Sequence, residues 1–147
     1  MWSLKRFITD YREKIKKSKI NIIIFILTIS LNLILYVFFI KEGTEANLSN
    51  IYSWITSMIF AFGMYKVFVV NDNDYRPFKI CMDFGKYFVS MMIFGIVAIA
   101  LFYMLYSEGI NQPIFEIDGL STKMIVTVVE ILLNRLGSIQ VDLPKKR

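Results

Sequence analysis

Ile20–Ile40 reads INIIIFILTISLNLILYVFFI, 21 residues without a charged side chain. At about 1.5 Å of rise per residue it forms a helix of roughly 30 Å, the thickness of a bilayer's hydrocarbon core. A surface helix of a soluble domain keeps charges on its outer face. This run has none to offer, and it predicts a transmembrane helix.

Composition agrees. Hydrophobic residues make up 56% and aromatics 16% of the 147 residues, above the roughly 45–50% apolar share of soluble domains. A chain of this length predicts one membrane domain and leaves no room for a folded soluble domain beside several spans. The formal charge is +5 with a pI near 9.3. Because the basic residues cluster beside apolar runs, they point to anionic lipid and to topology, and not to direct nucleic-acid binding. There is no histidine and a single cysteine, Cys81. That composition excludes Ser-His-Asp and Cys-His catalysis, zinc sites of the usual ligands, His-ligated haem and an intramolecular disulfide. The expectation is a non-enzyme with no cofactor and no metal. The apolar run exceeds a signal h-region of about 7–15 residues and no A-x-A-like site follows, so the N-terminus reads as an uncleaved anchor.

Working outward, residues 1–19 hold seven basic side chains, Lys14, Lys16 and Lys17 among them. Leu4, Phe7, Ile8, Tyr11 and Ile15 share one helical face, which predicts an amphipathic N-terminal helix lying in the headgroup plane. A solvated basic cap that only sets topology fits the same residues. After a loop at Lys41–Asn50, a second span is expected over residues 51–70. Tyr52 and Trp54 stand at its outer interface, and Ser53, Ser57 and Ala61 form a small-residue face for close helix approach. Lys66 lies a turn from its inner end. In Asn71–Lys86, Asp72 and Asp74 lack the glycine and terminal glutamate of a calcium loop. Asp74 reads as an N-cap with Pro77 in the first turn. The third helix then protrudes before spanning over residues 87–106, with Gly95 and Ala98 as packing points. Ser107–Gly119 is a loop, and residues 120–139 form a fourth, less apolar span carrying Lys123, Glu130 and Arg135.

Orientation follows from counting. With four spans and the N-terminus inside, inner segments hold 14 basic residues and outer ones hold only Lys41 and Lys123. This obeys the positive-inside rule; with three spans the Lys145-Lys146-Arg147 terminus would lie outside. The fold expected is therefore an all-α integral membrane protein. It is a four-helix transmembrane bundle with both termini cytosolic, multi-pass in a bacterial cytoplasmic membrane.

Two polar stripes mark the candidate site. On the fourth helix Lys123, Thr127, Glu130 and Asn134 recur at steps of four, three and four. On the first, Asn21, Phe25, Thr28, Asn32 and Tyr36 follow the same spacing. Such faces are unfavourable against lipid and should meet protein or water. One reading is helix–helix adhesion, with Glu130 ion-paired to Lys66. The other is a water-lined path in an oligomer, where a ring of Glu130 favours cations. The inner basic surface, Arg76, Lys79, Lys86 and the Lys145–Arg147 tail with the N-terminal lysines, is the expected contact for lipid or a partner protein.

Four short spans, minimal outer loops and basic inner ends, taken together, give a layout that resembles small four-span bacterial membrane subunits working beside a separate cytosolic protein. The membrane subunit of the Kiwa phage-defence system is one such case. The resemblance covers the whole chain as a layout and transfers no individual residue. It implies a homo-oligomeric sensor or scaffold that detects an envelope disturbance and passes it to a cytosolic protein partner. The alternative is an oligomeric pore or membrane-permeabilising effector lined by the fourth-helix stripe.

Overall fold

The computed structural model describes residues 2–70 and 75–137, and these are all-helical apart from an isolated bridge between Ile114 and Ile117. The elements in order are α1 (Trp2–Lys41), α2 (Ala46–Tyr65) continued by a π-helical turn (Lys66–Val70), α3 (Pro77–Ser107) and α4 (Leu120–Gly137). Two stretches, Lys19–Lys41 and Ala46–Val69, are long and apolar enough to cross a membrane. A third is added if the two halves of α3, bent by 48° between Pro77–Val89 and Met91–Ser107, count as one span. α4 carries Lys123, Glu130 and Arg135 in its 18 residues and does not reach that standard.

α1 differs from the expectation of a separate surface helix. It runs for 40 residues without interruption, about 60 Å. Residues 14–20 contain neither proline nor glycine, so nothing forces the break that a helix lying flat in the headgroups would need before turning inward. The basic segment is the continuation of the apolar one.

The chain turns tightly after α1. Gly43 at φ +85° closes a Schellman motif, its N–H donating to the Ile40 carbonyl and that of Thr44 to the Phe39 carbonyl; Gly109 ends α3 in the same way. α2 begins at Ala46, five residues before the expected start, so Ser49 and Asn50 are helical. A face of small residues, Ala46, Ser49, Ser53, Ser57 and Ala61, is buried, and α2 packs chiefly along α1.

Two apolar clusters stack along the bundle. Tyr36, Ala46, Ala98, Phe102, Ile117 and Val126 form one at the end carrying the short turns, joining α1, α3 and α4. Met58, Ala61, Phe62 and Tyr87 form the other between α2 and α3. Trp54 is half-buried against this second cluster. Its indole fills the space left open at Gly95. The helix α3 starts with Arg76 at its N-cap and Pro77 in its first turn, while Asp72 and Asp74, and with them the expected cap, lie outside the described residues.

Candidate functional site: a buried lysine among three helices

The spacing of α2 puts Asn50, Ser53 and Ser57 on one face, three and four residues apart. All three are buried. The spacing of α4 does the same for Lys123 and Thr127, and Tyr36 presents its ring from α1. At their junction the Lys123 ammonium, 1% exposed, donates to Asn50 Oδ1 at 2.6 Å and to Ser53 Oγ at 3.4 Å. It also lies 5.6 Å from the centre of the Tyr36 ring. A carbonyl oxygen, a hydroxyl oxygen and a π face all suit a cation. Its hydrogen-bond partners among the described residues are neutral.

The hydroxyls around it add little between helices. Thr127 Oγ1 donates to the Lys123 carbonyl at 2.7 Å, Thr28 to Ile24 at 2.7 Å, Ser57 to Ser53 at 2.6 Å and Ser53 to Asn50 at 3.0 Å. Each bond stays within its own helix, the local pattern that small hydroxyl residues favour. Lys123 therefore supplies the polar link from α4 to α2. Asn32, a turn below Tyr36 on α1, is buried with its Oδ1 unpartnered among the described residues.

Above the lysine the segment before α4 is clamped onto the bundle. Tyr36 Oη donates to the Asp118 carbonyl at 2.8 Å, Tyr106 Oη to Asp118 Oδ2 at 2.6 Å, and Thr122 Oγ1 to the Ile110 carbonyl. Tyr36 and Tyr106 thus hold Asp118, which is itself exposed, and Lys123, one turn into α4, is buried. This departs from the count that placed Lys123 in an outer segment: it belongs to the bundle interior. Gly119, at φ +66°, leaves no room for a side chain, since a Cβ there would meet the Tyr36 hydroxyl. Gly119→Ala is expected to destabilise the chain by ~1–2 kcal/mol, combining a disfavoured backbone with displacement of Tyr36; thermal denaturation in detergent micelles measures it.

Of the remaining expected residues, Glu130 is half-buried and the side chain of Asn134 lies outside the described residues. The Lys66–Glu130 pair is corrected: Lys66 Nζ bonds Asp83 Oδ2 at 2.9 Å. The reason is local. The end of α2 packs on the first half of α3 through Phe62, Phe84 and Tyr87, and Asp83 lies one residue before Phe84, within reach of Lys66. Asp83→Ala strands a lysine that is itself buried and is expected to cost ~2 kcal/mol, with Asp83→Asn recovering part by keeping an acceptor; the two melting midpoints distinguish them. On the basic surface Lys16, Arg76 and Lys86 are exposed and Lys79 is half-buried. The side chains of Lys14 and Lys17, and the whole of Lys145–Arg147, lie outside the described residues.

Asn50, Asp83 and Asp118 are the functional partners that sequence reasoning missed. The polar neighbours of Asn50 read as a loop, although the buried small-residue face of α2 already starts at Ala46. Asp83 and Asp118 carry no local signal, because only packing between distant segments makes them acceptors. Among the described residues no group of three or more acidic or cysteine side chains converges as a metal site. The chemistry offered here is placement of a charge and its hydrogen bonds. No family model matches the chain, and neither the curated proteins nor the solved structures contain a similar one.

Proposed function

We propose that this protein is a non-enzymatic, homo-oligomeric sensor or scaffold subunit of a bacterial inner membrane. In this reading it crosses four times with both termini in the cytosol. It passes an envelope disturbance to a cytosolic protein partner, the role that the layout shared with phage-defence membrane subunits implies. The observation that carries the reading is the unbroken α1. One end of this helix is clamped through Tyr36 to the outer segment at Asp118; the other continues past the apolar stretch as a helix bearing Lys14, Lys16 and Lys17. A continuous helix held at one end carries a displacement from one face of the membrane to the other. The opposite face has only the tight turn after Lys41 and the clamped 108–119 segment, too little surface for a binding domain.

Four crossings are supported by the charge count, which keeps the basic C-terminal residues on the inner side. The 18 residues of α4 make about 27 Å, most of the thickness of the hydrocarbon. Lys123 is covered by α1 and α2 of the same chain, which lowers the obstacle to inserting it. The pore alternative draws less support, since Lys123 and Thr127 face the chain's own interior and leave Glu130 to line a path without them.

Affinity capture of the tagged, detergent-solubilised chain from its host tests the reading. A cytosolic protein recovered with it, and lost on changing Lys14, Lys16 and Lys17 to Glu, is the expected result; recovery of the chain alone would overturn it. Reporter fusions should place Gln112 outside and Arg147 inside.

A further inference from the structure

We propose that the first half of α3, Pro77–Val89, is an arm that lies on the anionic inner surface of the bilayer, inserting Phe78, Met82 and Val89 among the headgroups. Met91–Ser107 alone has 17 residues, about enough to cross the hydrocarbon. The preceding 13 residues are surplus, and they leave the axis at 48°. Kinking is one of the ways a helix longer than its membrane is accommodated.

The arm has two distinct faces. Ile80, Phe84, Tyr87 and Phe88 pack into the cluster with α2, and Asp83 holds Lys66. Away from α2, Phe78, Met82 and Val89 are exposed, Phe78 at 81%. Steps of four and seven put them in one stripe, and Tyr75, also exposed, precedes it. Lys79 and Lys86, seven residues apart, run along one side of that stripe, with Arg76 at the N-cap. An apolar stripe with basic residues beside it is the pattern of a helix that lies in an anionic interface. An arm projecting into water, as the sequence suggested, would leave Phe78 solvated. The inference rests on the membrane residence and the orientation proposed above and is independent of the sensor role, since capture of a partner on α1 does not require it.

The test uses the full chain with Cys81→Ser and Met82→Cys, labelled with an environment-sensitive fluorophore and reconstituted in phosphatidylcholine or in an equimolar mixture with phosphatidylglycerol. The native Cys81, exposed on the same arm, provides a second labelled form without substitution on the stripe. Quenching by a nitroxide at the headgroup should be several-fold stronger in the phosphatidylglycerol vesicles. High salt or Lys86→Glu should reduce it. Three results overturn the proposal: quenching that is greatest with the nitroxide at the acyl-chain end, which makes the arm an ordinary part of the span; no composition dependence; or shielding that appears only with a cytosolic extract, which assigns the stripe to a protein.

Discussion

Lys123→Ala is expected to lower stability by ~3–4 kcal/mol, the largest loss from any single change on α4. Two contributions add. Truncating a buried four-carbon stem leaves a cavity, which for large-to-small changes costs about 2–5 kcal/mol in well-packed sites. The Asn50 carbonyl oxygen, bonded at 2.6 Å in the native chain, is left without its donor, at about 1–3 kcal/mol. Polar contacts between membrane helices average only about 0.6 kcal/mol, which holds the total to the lower end of the summed range. Lys123→Met separates the two contributions. It retains the stem and should recover roughly half of the loss, leaving Asn50 orphaned. Adding Asn50→Leu to Lys123→Met removes the orphan and should recover more. Equilibrium unfolding in mixed micelles reads all three variants. If Lys123→Met matches the native protein, the ammonium holds nothing and the site is only packing.

The second large effect belongs to Gly95. A Cβ at this position would overlap the six-membered ring of Trp54, so even Gly95→Ala must push the indole away, and Gly95→Leu should cost ~3 kcal/mol. Trp54 packs at the edge of the cluster that holds Met58, Phe62 and Tyr87, so its displacement loosens the contact of α2 with α3. The decisive measurement is the pair: Trp54→Ala clears the space, and Gly95→Leu should then cost much less than it does alone. Additive losses would mean that the two residues do not share that volume.

How far the site was legible varies residue by residue. Tyr36, Asn32, Lys123 and Thr127 were picked out because polar groups at helical spacing on apolar cylinders have few places to go, and all four are buried. Gly95 and Ala98 were recognisable as close-approach points for the same steric reason. What they would touch was not. Trp54 looked like an interfacial ring because tryptophans collect there, yet its position on α2 aims it at Gly95. Lys66 was given the wrong acid because Glu130 lies on an obvious stripe and Asp83 does not. A lysine stem reaches any carboxylate that backbone geometry brings near, and the packing of α2 on α3 brings Asp83.

Apolar run length, charge asymmetry and the absence of histidine are properties of the linear chain. They alone establish an all-helical protein with membrane-crossing stretches and exclude histidine-dependent chemistry, because lipid and water select on composition before any tertiary contact forms. Two features were decided by the tertiary structure: the clamp that holds Asp118 to Tyr36 and Tyr106, and the acceptors that meet Lys123 and Lys66. Each depends on how far one helix slides or turns against another. That register is set by side chains distant in sequence, Tyr36 with Asp118, Trp54 with Gly95 and Asn50 with Lys123, whose separation along the chain carries no trace of their meeting.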